Sequence, residues 1–213
     1  DGSSITMHKG TFISYKLNDQ GERIVSITGK AFFDIEKRRK EEIVKNPLRQ
    51  LFNRQIFSEE NAPFIIHTPS GDIEVLGTKF SLTSDNYETS VILEEGSVKV
   101  YPKNDTTFTM IPGEYILLSS GLLTERKNVN AHLYTNWKNP KANFEQVPLK
   151  EISQWSVDQF GVELVFDESI RHKTFTGTFD QADLNIIVKA LSISYGMEPV
   201  RHENKIIFKK NKP

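Results

Sequence analysis

The 213-residue sequence has no cysteine, which excludes disulfide staples, thiolate metal sites, cysteine nucleophiles and redox dithiols. Compartment stays open, because a chain of this length builds a core without staples. An excess of one charge is also missing. Lys and Arg number 27 against 28 Asp and Glu, for a net charge of -1, so the basic surplus that grips a phosphate backbone is absent and no nucleic-acid partner is expected. The longest uninterrupted apolar run is Tyr115 to Leu118, whereas a membrane-spanning helix needs about 20 such residues. The opening Asp1-Gly2-Ser3-Ser4 lacks the charged and apolar regions of a signal peptide and reads as a cut or processed end.

Catalytic patterns are equally scarce. The histidines, His8, His67, His132, His172 and His202, show no two-His spacing of the kind that holds zinc. Pro112-Gly113-Glu114 matches part of a cupin motif but has no flanking histidines. The carboxylate pairs Glu41-Glu42, Glu59-Glu60 and Glu94-Glu95 are adjacent. On a strand such neighbours point to opposite faces, so they suit solvation better than paired acid-base work. No Gly-rich phosphate loop, Gly-x-Ser-x-Gly elbow or His-Glu-x-x-His occurs. The expectation is a non-enzyme without catalytic residues, metal or cofactor.

What the sequence does contain is punctuation. Up to about Asn130, short alternating runs such as Arg23 to Thr28, Ala31 to Ile35, Phe64 to Thr68 and Ser97 to Tyr101 are separated by Gly, Pro, Asn and Asp. Ile111-Pro112-Gly113-Glu114 places Pro and Gly as a type II turn prefers. The fold class expected is mainly β plus α+β. Residues 1–136 form an all-β domain, β-solenoid or sandwich-like, with a charged, partly helical insertion at 36–62. Within it Asn46 and Pro47 can start a helix whose Leu48, Leu51, Phe52 and Ile56 share one face.

From about Trp137 the sequence repeats. Phe144, Gln146, Leu149, Ile152, Gly161 and Glu163 recur 35 positions later as Phe179, Gln181, Leu184, Ile187, Gly196 and Glu198. Each copy reads as strand, helix, strand, so residues 137–213 are expected to form a small α+β domain of two βαβ units. Asp180, with Asp183 three residues on, is the expected cap of the second helix, and Gly161 and Gly196 the stops. The strands Val162 to Phe166 and Ile206 to Phe208 are expected to share a small sheet. Trp155 lies off the Leu149-Ile152 stripe and is expected to be an exposed protein contact.

Three stretches in order carry a family resemblance. They are Arg23-Ile24-Val25-Ser26-Ile27-Thr28-Gly29-Lys30-Ala31-Phe32-Phe33-Asp34-Ile35, after Asp1-Gly2-Ser3; Phe64 to Thr68 with Ile73 to Phe80; and Val91 to Val100 with Pro112-Gly113-Glu114. Together they resemble the periplasmic region of FecR-type anti-sigma factors. Trp137, Phe144 to Ile152 and Phe160-Gly161-Val162 are similar to the C-terminal domain of the Bacteroidetes type, itself similar to the small signalling domain of secretins and TonB-dependent transducers. Two departures stand out: the segment Glu36 to Ala62 interrupts the usual strand succession, and Ser153 and Ser156 replace apolar residues of the first helix.

The resemblance implies a periplasmic signal relay that binds the signalling domain of a TonB-dependent outer-membrane transporter. An extracytoplasmic-function (ECF) sigma factor would be controlled through a cytoplasmic segment and an inner-membrane helix of the parent, neither of which is in this sequence. Docking is expected by strand addition at an edge of the C-terminal sheet, through Thr174, Phe175 and Thr176 or through Ile206, Ile207 and Phe208. The competing readings are a periplasmic glycan-binding module, an inactive relative of a β-sandwich hydrolase, and a structural subunit of a secretion complex.

Overall fold

Thirteen residues of largely alternating character, Arg23–Ile35, make one strand, β3, on which the N-terminal part of the protein is organised. The computed structural model describes residues 2–18, 22–37, 39–42, 56–61, 63–139, 141–179 and 183–210, and the chain divides into two units, Asp1–Ala131 and His132–Pro213. It is mainly β, with few helices.

In the first unit β1 (Ser4–Met7), β2 (Phe12–Leu17) and β3 are followed by β4 (Arg39–Glu42), β5 (Ile56–Asn61), β6 (Phe64–Thr68), β7 (Gly71–Val75), β8 (Thr78–Ser84) and β9 (Glu88–Glu95). Then come β10 (Val98–Pro102), β11 (Phe108–Met110), β12 (Glu114–Ser119) and β13 (Leu122–Asn128). All but β4 and β5 join an 11-stranded sheet ordered β11-β10-β7-β6-β3-β8-β9-β12-β13, with β1 and β2 also paired to β3.

β3 changes partners half-way. Arg23 to Thr28 pair with β2 and β6, and Gly29 to Ile35 with β8 and, in part, β1. The switch falls at Gly29, whose φ of 112° disfavours any other residue and whose missing side chain lets Thr11 Cα approach to 2.7 Å of where a Cβ would sit. Thr11 Oγ1 locks the bend by donating to Lys30 O at 2.7 Å and accepting from Lys30 N at 3.0 Å. As a result the sheet curls over one core. In that core Phe33 stacks on Phe80 at 4.9 Å and meets Phe64 edge-on at 6.1 Å. The inward residues of β6, β7 and β12 alternate with half-buried ones, as a one-faced sheet requires.

The Ile111–Glu114 turn forms as the residue types dictate, with Glu114 N donating to Ile111 O at 3.2 Å and Gly113 at φ 86°. The helix expected from Asn46 to Ile56 lies, but for Ile56, outside the described residues. Its last apolar position, Ile56, opens strand β5, which pairs antiparallel with β4.

The second unit begins at His132, one residue into a short helix α1 (Ala131–Thr135) that runs into a 3₁₀ turn, Asn136–Lys138. It continues with β14 (Ala142–Pro148), α2 (Leu149–Phe160), β15 (Glu163–Phe166), β16 (Thr174–Phe179), α3 (Leu184–Tyr195), β17 (Met197–His202) and β18 (Lys205–Lys210). The two long helices have 12 residues each and begin and end 35 positions apart, in register with the sequence repeat. Both stop at a left-handed glycine, Gly161 and Gly196. The cap of α3 differs from the expectation: it is Asp183, whose carboxylate accepts from Asn185 N at 2.8 Å and Ile186 N at 3.2 Å, and Asp180 lies outside the described residues.

The repeats pair with each other. β14 and β16 are antiparallel around the equivalent residues Asn143 and Thr178, whose side chains are hydrogen-bonded at 3.0 Å. β15 runs parallel to β18, and β17 pairs antiparallel on the other side of β18, giving the order β15-β18-β17. The closing strands therefore do share a small sheet. An aromatic cluster fills the interior, with Phe144 at its centre contacting Trp155, Phe175 and Phe179 at 5.5, 6.1 and 5.8 Å.

Candidate partner-docking edge

Of the two expected docking edges, one is open. β16 pairs with β14 along one side and with no other strand among the described residues. Its side chains alternate: Phe175 is buried and Gly177 and Phe179 half-buried, whereas Thr174, Thr176 and Thr178 are exposed. The ladder with β14 shifts between Phe144 and Val147, where Gln146 has a positive φ of 49°. There the Thr176 hydroxyl replaces the missing backbone partner by accepting from Gln146 N at 3.0 Å. The start of the strand is held by Tyr195, whose hydroxyl donates to Thr174 O at 2.6 Å and whose pKa is raised by burial. β16 is thus a fixed strand with one backbone edge available and a threonine face beside it.

The other expected edge is not an edge. β18 is the middle strand of its sheet, satisfied on both sides, because β17 folds back onto it as a hairpin and β15 adds in parallel. Ile206 and Phe208 are buried and Ile207 half-buried, with Phe208 stacked on Phe166 at 5.0 Å. Trp155 also departs from expectation. It is only 2% exposed, wedged edge-on between Phe144 at 5.5 Å and Phe160 at 5.4 Å. It follows Ile152 by three positions, so a wide indole reaches the core from the margin of the stripe. Thr174 to Thr176 and Ile206 to Phe208 lie in different sheets.

Ser153 and Ser156, the polar departures in α2, have different fates. Ser153 Oγ donates to Leu164 O at 2.7 Å, tying the helix to β15. Ser156 is fully buried and its hydroxyl has no hydrogen-bond partner among the described residues.

With this geometry in hand, residues 1–99 match the family described as FecR protein. Residues 1–99 are a FecR-family domain. The FecR match ends inside β10, while the curled sheet continues through β13. The whole chain is similar in fold to two crystal structures of a candidate anti-sigma factor from Parabacteroides distasonis ATCC 8503, at 1.65 and 2.50 Å resolution. Identity is 22% in both cases, with coverage of 100% of this chain and 92% of the other and TM-scores of 0.54 and 0.53. No curated protein matches the chain.

The FecR domain carries its own open edge. β2 pairs only with β3 among the described residues, and it exposes Phe12 (75%), Tyr15 and Leu17, a feature the sequence reading missed. A cleft of about 340 Å³ lies between the end of β3 and the start of β8, lined by Asp34, Lys37, Gly77, Lys79, Glu95 and Gly96 among others. Its Lys79 and Glu95 are paired at 3.1 Å, and the hydrogen bond and charge of Glu95 hold the Lys79 ammonium above its ordinary pKa. Among the described residues, no group of three or more His, Asp or Glu could hold a metal ion, and no helix is long and apolar enough to cross a membrane.

Proposed function

We propose that this chain is the periplasmic signal-relay region of an anti-sigma factor anchored in the inner membrane. It receives the signalling domain of a TonB-dependent outer-membrane transporter and passes the change to an ECF sigma factor held by the parent protein. The FecR match over residues 1–99 carries the reading, and the fold likeness to the candidate anti-sigma factor of Parabacteroides distasonis supports it. The relay requires no bond to be made or broken. A partner that binds one of two states of this region more tightly shifts the population toward that state, and the shift is the signal.

Docking occurs by strand addition at β16. An open edge presents backbone donors and acceptors to an extended segment, and Thr174, Thr176 and Thr178 offer hydroxyls beside it. The test uses the signalling domain of the transporter encoded beside the parent gene, titrated into the full chain by calorimetry. Hydrogen exchange is followed in parallel. Saturable binding with slowed amide exchange at residues 174–179 is the expected result. Absence of binding overturns the proposal, and binding that leaves these amides unchanged overturns the docking mode.

A further inference from the structure

The outer strands of the curled sheet differ in how they resist pairing with another chain. β1 and β11 are short, at four and three residues, and β13 carries Glu125-Arg126-Lys127 in succession. Shortness and charge are the ordinary protections of a sheet edge. β2 has neither. It runs for six residues, contains no proline and bears one charge, Lys16. Among the described residues it pairs with β3 alone, so its outer backbone groups face no other strand there.

The side chains of β2 continue the core row instead of closing it. Ile13, Tyr15 and Leu17 stand opposite Ile27, Val25 and Arg23 of β3, all three of which are buried. Directly opposed residues share a face, so these three lie on the core side. Ile13 packs against the core, yet Tyr15 and Leu17 are 58% and 52% exposed. One more strand in the same sheet would pair the open backbone edge and cover the flank of both side chains at once.

The residues of β2 are complementary to themselves. In an antiparallel pair centred on Tyr15, Ile13 stands opposite Leu17, Tyr15 opposite Tyr15, and Ser14 opposite Lys16. Every pair on the core side is then apolar or aromatic, and no charge meets its like. Centring one residue earlier sets Phe12 against Lys16, and one residue later sets two Lys16 ammoniums together. We propose that β2 is a self-association edge, through which two copies of this chain join their curled sheets across a two-fold axis at Tyr15. The flat edge ends at the turn before β2, where Gly10 has a φ of 84° and Thr11 N donates to His8 O at 3.1 Å. A two-fold pair uses the same edge of both copies, so the assembly closes as a dimer. One strand pair buries less than the roughly 800 Å² per partner of a stable complex, so the association is weak.

The experiment is sedimentation of the full chain from about 10 μM to about 1 mM. A monomer–dimer equilibrium is expected for the wild type. Tyr15→Lys opposes two ammoniums at the axis and should weaken dimerisation by about tenfold, whereas Thr176→Lys, on the β16 edge, should leave it unchanged. Because the chain has no cysteine, one introduced thiol reports the register. Tyr15→Cys sets two thiols about 5 Å apart and should be joined by a short bifunctional thiol reagent. Phe12→Cys sets them about 20 Å apart and should not. Circular dichroism checks folding. A wild-type chain that stays monomeric throughout overturns the proposal, and so does a dimer that Thr176→Lys dissolves and Tyr15→Lys spares. Crosslinking of Phe12→Cys as fast as Tyr15→Cys overturns the register.

Discussion

The guanidinium of Arg23 reaches the backbone carbonyl of Glu36 at 3.4 Å from both Nη1 and Nη2, although Arg23 opens the thirteen-residue strand β3 and Glu36 follows its last residue. Fully extended, such a strand spans roughly 43 Å. The two ends meet because β3 bends at Gly29 and carries the sheet around with it. Arg23 also donates to Ser3 Oγ at 3.1 Å and lies 5.2 Å from the Phe64 ring centroid, so one buried cation ties the N-terminal segment, both ends of β3 and the start of β6.

Arg23→Ala removes this tie and leaves a void in the core. Unfolding of the N-terminal unit by urea should shift to lower concentration, corresponding to a loss of about 3 kcal/mol. A variant with an unchanged midpoint shows that the closure of β3 contributes nothing to stability.

Gly29→Ala places a methyl 2.7 Å from Thr11 Cα and Thr11 Oγ1 at a φ of 112°. The contact involves backbone, so it cannot be relieved by a rotamer change. A loss of about 2 kcal/mol is expected in thermal unfolding, whereas Gly10→Ala, which meets nothing within 4 Å, costs only its backbone strain.

Glu114 gives the acid response a specific origin. Arg126 Nε and Nη2 donate to its two oxygens, each at 2.9 Å, and Ile111 N adds a third bond at 2.8 Å. The Arg126 hydrogen bonds, against the opposing effect of burial, hold its pKa below the ordinary 4.5. A depressed folded pKa means that this stabilisation is fully present above the unfolded value and disappears as pH falls through the folded one. Glu114→Gln is expected to lower the unfolding midpoint at pH 7, and its deficit relative to wild type should shrink below about pH 4.5. A deficit constant down to pH 2 would show that the carboxylate charge is not responsible.

Ser156→Ala should stabilise the C-terminal unit. The Ser156 hydroxyl is buried without a partner among the described residues, and Leu191 fills the corresponding place in α3. Removing the hydroxyl is expected to gain about 1 kcal/mol, read as a higher melting temperature. No change would mean that the hydroxyl finds a partner in solution.

Much of the C-terminal unit was legible because its signal is periodic. The 35-residue repeat fixed α2 and α3 at equivalent positions, and the glycine stops marked their ends. Strand order was less accessible. An edge was expected at Ile206 to Phe208, but the short turn at Glu203-Asn204 folds β17 onto one side of β18 while β15 takes the other. Trp155 was misplaced because a stripe of Cα positions ignores the width of an indole. Asp180 was expected to cap α3 with Asp183 three residues on, and it is Asp183 whose carboxylate caps the helix. The curl at Gly29 depends on which strands β3 meets on each side, a choice made by contacts distant along the chain.

The cross-pairing of the two repeats has a consequence for how the C-terminal unit comes apart. β14 is completed by β16 and β15 by β18, so the first copy owns no ladder of its own. Cleavage of the connection between Phe166 and Thr174 would yield two complementary fragments that each need the other, and they should stay associated and refold only as a mixture.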